Sequence, residues 1–81
     1  MLVRRSDIRV AVVHGPGNRI VPKWFDLDRT RHTITGVTNC WQARQGETLI
    51  QHFHVTDEGA LYELTYNRTE GIWSLERIEP L

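Results

Sequence analysis

The chain is poor in several things that would narrow its function. It has one cysteine, Cys40, so it forms no internal disulfide, and a lone thiol fits a reducing cytoplasm. Its longest apolar run is Val10-Ala11-Val12-Val13, far short of a membrane-spanning helix. Met1-Leu2-Val3-Arg4-Arg5 is followed by charge rather than an apolar segment, so the start does not read as a secretion signal. Formal net charge is zero, which argues against a strong general phosphate binder. Glycine-rich His14-Gly15-Pro16-Gly17-Asn18-Arg19 lacks both the P-loop lysine pattern and dinucleotide spacing, and reads as a hairpin turn. No stretch has the sustained 3.6-residue apolar period of an amphipathic helix.

The chain does have enough apolar residues for one core. It has 81 residues, 40% of them hydrophobic, with three Trp, two Tyr and two Phe. That length suits a single domain, 1–81, with residues 1–6 and 79–81 expected as frayed ends. Charge is unevenly distributed. Through Arg44 there are eight basic and three acidic residues; beyond it there are two basic and seven acidic. The two parts therefore carry +5 and −5. They either pair across neighbouring strands or form a bipolar surface with one basic face.

Turn signals recur at regular spacing. They are Gly15–Asn18, Asp28–Arg31, Gln45–Glu47, Asp57–Gly59 and Asn67–Gly71. Each contains Gly, Asn or Asp, which tolerate the backbone angles of tight turns. About six β-rich runs lie between them. The expected fold is all-β, a single antiparallel meander curled into a small, partly open barrel or roll. Ile8, Val10 and Val12 share one strand face. The run Ile20–Leu27 is apolar on both faces and holds Pro22, so it reads as an edge or a bulged strand. The run His32–Ala43 is ambiguous, because Ile34, Val37, Thr38 and Trp41 fall at helical spacing. Its β-branched residues favour a strand with a bulge at Gly36, turning Val37, Asn39 and Trp41 inward. Phe53 and Val55, Tyr62 and Leu64, and Trp73 and Leu75 mark the inward sides of the last three strands.

Few residues invite chemistry. His52 and His54 share a strand face and are weak metal candidates, since a tetrahedral site needs further ligands that no second motif supplies. Cys40 reads as a half-buried structural thiol, and the acidic pairs sit in turns. No catalytic residue and no cofactor is expected, and the chain is not read as an enzyme. The candidate binding residues are Trp24, Arg29, Arg31, Trp41 and Arg44. If the tryptophans are core they are scaffolding; if exposed beside these arginines they mark a binding surface.

The run Ile34-x-x-Val37-x-x-x-Trp41, then Phe53–Leu64, then Gly71–Ile78, resembles a small uncharacterised bacterial domain. It is also similar to the C-terminal segment of Y-family translesion DNA polymerases and their catalytically dead accessory relatives. The resemblance implies a β-rich module without assigned catalytic residues. The expected function is that of a bacterial, cytoplasmic interaction module binding another protein through a sheet edge or face. The alternative is a nucleic-acid-associated module, in a DNA-repair context, that uses the basic N-terminal part. No membrane role is expected.

Overall fold

Side chains alternate between dry and wet along most of the chain, and that period of two builds a protein of strands. The computed structural model describes residues 1–81. Eight strands follow one another: β1 (Leu2–Ser6), β2 (Arg9–His14), β3 (Ile20–Leu27), β4 (Thr30–Thr33), β5 (Gly36–Gln45), β6 (Thr48–Thr56), β7 (Ala60–Asn67) and β8 (Ile72–Pro80). The only helical element is the 3-10 turn Pro16–Asn18. No helix is long and apolar enough to cross a membrane.

The strands form two antiparallel sheets rather than one meander. The larger has the order β1-β8-β7-β6-β5, and the smaller β2-β3-β4. Within each sheet most sequential strands pair through short turns, as the turn signals require. The single-meander expectation fails at two places without glycine-rich turn signals. At Asp7–Ile8 the chain leaves the larger sheet for the smaller, and at Ile34–Thr35 it returns. Both crossings are anchored by backbone bonds: Ile8 N–H to Trp73 O at 3.0 Å, Ile34 N–H to Lys23 O at 2.9 Å, and Thr35 N–H to Thr56 O at 2.7 Å. The sheets do not close into a barrel.

The core lies between the sheets. Phe25, Phe53, Val55, Leu64 and Leu75 are essentially without solvent exposure, joined by Ile20, Ala60, Tyr62 and Trp73. Ile8, Val10, Val12 and Ile78 pack against them. Burying each such side chain contributes roughly 1.5–3 kcal/mol, which is the main force holding two otherwise exposed sheets together. The inward sides expected for β2, β6, β7 and β8 are the inward sides observed.

Other expectations need correction. Residues 2–6 are not frayed: they form β1, paired with β8 from Leu2↔Arg77 to Ser6↔Ser74, and the amino terminus itself donates to Ile78 O at 2.6 Å. At the other end β8 runs to Pro80, and Leu81 N–H reaches Gly59 O at 3.2 Å. Of the two readings of the strand holding Pro22, the bulge is the one observed: β3 is the centre of the smaller sheet, not an edge, and its register shifts beside the proline, between Trp24 and Pro22. The four-residue β4 covers only Trp24–Leu27, so the first half of β3 is unpaired on that side and loses nothing by the missing proline N–H. The bulge in β5 falls between Val37 and Asn39, at Thr38 rather than Gly36.

Candidate interaction surface

That displaced bulge decides which way β5 faces. Asn39 is level with His54, Cys40 with Phe53 and Trp41 with His52. Phe53 points into the core, so Trp41 points away from it. Asn39 and Trp41, expected inward, face outward, with Trp41 retaining 37% of its accessible surface; Val37, before the bulge and level with buried Val55, faces the inner side as expected but stays exposed. Cys40 is likewise exposed rather than half-buried. Apart from Gly36 and Ala43, no residue of β5 is even half-buried. The strand overhangs the narrower second sheet, so water reaches both of its faces.

Water also reaches its far edge, because β5 pairs with β6 and with nothing else. The two-residue turn Gly46-Glu47 joins Gln45 to Thr48 as the closing pair. Antiparallel alternation from that pair points the backbone N–H and C=O of Arg44, Gln42 and Cys40 away from β6. In keeping with this, Cys40 N–H donates to the Asn39 side-chain Oδ1 at 2.9 Å instead of to the ladder.

The other three edges carry protections against strand addition. β1 has Arg4 and Arg5 and an irregular register between Leu2 and Arg5. β2 is six residues long, begins with Arg9 and pairs through a register shift between Ala11 and Val12, and β4 is four residues long and contains Arg31. Between Gly36 and Ala43, by contrast, β5 has no charge and no proline.

The five candidate residues do not form one surface. Trp24 lies on the outer side of the smaller sheet, next to fully buried Phe25. Arg31 stacks over its ring at 3.6 Å and also bonds Asp26 through Nε at 3.3 Å. Arg29 occupies the β3–β4 turn with φ 66°. Trp41 lies on the opposite outer side, that of the larger sheet. Arg44, three residues further along the strand, projects to the other side of β5. Trp24, Arg29 and Arg31 thus belong to one end of the smaller sheet, and Trp41 and Arg44 to the free strand.

His52 and His54 do share a face. The Trp41 ring stacks on His52 with centroids 4.8 Å apart and 6° between planes, and meets His54 edge-on at 4.9 Å. Glu63 sits between the imidazoles, bonded to His54 Nε2 at 3.1 Å and 3.9 Å from His52 Nδ1. His52 Nδ1 is buried without a hydrogen-bond partner. No group of three His, Cys, Asp or Glu side chains converges in a way that would hold a metal ion.

Two polar clusters had no clear signal in the sequence. In the first, Asp57 accepts Gly59 and Ala60 N–H on Oδ1 at 2.8 and 2.9 Å, and Tyr62 O–H on Oδ2 at 2.7 Å, with His32 Nδ1 at 3.0 Å. Burial pushes the carboxyl pKa up, but these hydrogen bonds outweigh it and hold the value at about 2. Burial and the bond to this anion raise Tyr62 to about 12. Phe25 stacks on the His32 ring at 5.0 Å, fixing it across the two sheets. The arrangement resembles an acid–base pair but contains no nucleophile. Its carboxylate ties the β6–β7 turn to the return crossing at β4.

In the second, buried Gln51 accepts Arg68 Nε at 2.9 Å and Nη2 at 2.6 Å, and donates to Cys40 Sγ at 3.3 Å. Arg68 Nη2 also donates to Asn18 O at 2.8 Å, joining the β7–β8 turn to the smaller sheet. Local pattern cannot reveal either cluster, because each joins residues from different strands.

The arginine–carboxylate pairs bear on the two readings of the charge split. Arg5–Asp28, Arg9–Asp26 and Arg31–Asp26 lie within the basic part, and Arg77–Glu79 within the acidic part. No arginine joins the two, although the amino terminus pairs with Glu79 at 2.9 Å and His32 with Asp57 at 3.0 Å across the division. Glu63, Glu70 and Glu76 surround a hollow on the outer side of the larger sheet, and Arg9, Lys23 and Arg31 lie on the smaller one.

The fold and surface define a two-sheet, all-β protein with one unprotected edge strand. No protein-family model, no curated protein and no solved structure matches the chain.

Proposed function

We propose that this chain is a protein-interaction module that accepts an extended segment of another polypeptide along β5. The observation that carries the reading is the difference among the four edges. The other three are strands of four to six residues that carry arginine, whereas β5 keeps a regular stretch from Asn39 to Gln45, free of proline and with Arg44 its only charge, whose outward backbone groups lie at Cys40, Gln42 and Arg44. Backbone hydrogen bonding to such an edge supplies affinity, and the side chains flanking it supply selectivity. Trp41 on one side and the apolar groove of Ile20, Pro22, Val37 and Phe53 on the other flank the incoming segment.

A nucleic-acid reading through the basic N-terminal part has weaker support. Arg31 covers the Trp24 ring face on which a base would stack, and Asp26 engages both Arg9 and Arg31. The reading assigns the chain no reaction, because the His32–Asp57–Tyr62 cluster is used in closing a turn.

The test is a titration of the isotope-labelled 81-residue chain, at low protein concentration, with an uncharged ten-residue peptide of alternating Val and Thr. Backbone amide shifts should saturate and centre on Cys40, Gln42 and Arg44. Shifts centred on β1, β2 or β4, or none with peptide at millimolar concentration, would refute the proposal.

A further inference from the structure

The free strand is complementary to itself in a single register, and this points to its occupant. The regular part of β5 lies between the Thr38 bulge and the Gly46-Glu47 turn. Within it the outward backbone groups belong to Cys40, Gln42 and Arg44, evenly spaced about Gln42. A second β5 laid antiparallel beside the first, with the two-fold axis at Gln42, matches Gln42 with Gln42 and Cys40 with Arg44 on both sides. Gln42 then exchanges both backbone bonds with its mate and Arg44 N–H donates to Cys40 O, while Cys40 N–H reaches Arg44 O on leaving Asn39 Oδ1. A register centred on Cys40 instead would set Gln42 against Thr38, where the bulge disturbs the ladder.

The side chains agree with the Gln42-centred register. Trp41 comes opposite Ala43 of the second copy on the outer side, so a large side chain meets a small one rather than another indole. Each Arg44 is opposite an uncharged cysteine and well separated from its symmetry mate. No like charges meet, because Arg44 is the only charge from Gly36 to Gln45 and falls opposite Cys40. Isologous two-fold pairing is also the commonest way for one surface patch to recognise itself.

We infer that the partner taken up by β5 is a second copy of this chain, joined by a β5–β5 ladder whose two-fold axis passes through Gln42. The inference rests on the strand-acceptor reading. The regular contact is one strand edge per copy, far less than the roughly 800 Å² per partner of a standard interface, so association is weak, micromolar at best.

Gln42 is exposed and faces itself across the axis, so charge substitutions there test the register without disturbing the core. Sedimentation velocity up to about 1 mM protein should show a reversible monomer–dimer equilibrium for the wild type. Q42K and Q42E, each alone, should weaken it by roughly tenfold or more, because like charges then sit directly opposite one another. An equimolar mixture of Q42K and Q42E should restore dimer as the heterodimer, which no register that offsets residue 42 from itself predicts. Q45K, which falls opposite uncharged Asn39 at the end of the matched segment, should leave the equilibrium within about twofold of wild type.

A wild type that dimerises equally well as Q42K overturns the assigned register. A wild type that stays monomeric at 1 mM, while the Val/Thr peptide still shifts the β5 amides, overturns the second-copy assignment and leaves the strand-acceptor reading intact. Failure of both experiments removes both.

Discussion

Replacing Asp57 with asparagine separates the charge of this side chain from its shape. Asparagine keeps an Oδ1 acceptor for the Gly59 and Ala60 N–H groups, so the turn survives. It loses the anion facing Tyr62 and His32. The carboxyl is held at about 2 in the folded protein, against about 3.9 for an unfolded aspartate. A folded-state value below the unfolded one means that the stabilisation is fully present above about pH 4. It is lost as pH falls from there through about 2. With the side chain only 16% exposed, the shift corresponds to at most about 2.6 kcal/mol. Urea unfolding followed by tryptophan fluorescence, where Trp73 is buried and Trp41 is not, measures the difference directly. At pH 7 the wild type should exceed Asp57→Asn by up to about 2.6 kcal/mol, and most of the gap should be gone by pH 2. A gap that stays the same from pH 7 to pH 2 would show that the variant acts through geometry and not through charge, and the electrostatic account of this turn would fail.

Other substitutions probe the remaining supports. Arg29→Gly should raise stability by roughly 1 kcal/mol, since Arg29 sits at φ 66°, where an L side chain is strained and glycine is not; thermal unfolding measures it. Arg68→Ala should cost about 2 kcal/mol in chemical unfolding, because buried Gln51 loses two donors and Asn18 O a third. Leu64→Ala should cost about 3 kcal/mol, as Leu64 has no exposed surface and its removal leaves a cavity between the sheets. Trp41→Ala, on the exposed outer side, should cost less than half as much in the same assay, and equal costs would contradict the assignment of the core.

Much of the strand content was legible from local signals. The alternation of Phe53 and Val55 with His52 and His54 requires no partner to be read, and neither does that of Tyr62 and Leu64 with Glu63. The five turns announce themselves through residues that tolerate unusual angles. Crossings between sheets do not announce themselves in that way. At Ile34–Thr35 the residues are ordinary strand formers, and the strand breaks there because Lys23 O and Thr56 O capture successive N–H groups from different sheets. The β5 facing was misread for a related reason. A bulge moved by two residues reverses which side is dry, and its position depends on what β6 presents opposite it. The signal that could have exposed the free edge was the absence of Asp, Glu, Lys and Arg from Thr33 to Ala43, in a chain where a quarter of the residues are charged.

By itself, the order of residues determined that this protein is built of strands, where most of them turn, and which aromatic and aliphatic side chains seek the interior. Those properties follow from steric preference and hydration, which act over a few neighbours. Tertiary structure alone decided that the strands divide into sheets of five and three, that Trp24 and Trp41 lie on opposite outer sides, and that β5 keeps an open edge. Those outcomes depend on hydrogen bonds and packing between residues distant in the chain, and each is chosen only when the competing partners are all in place.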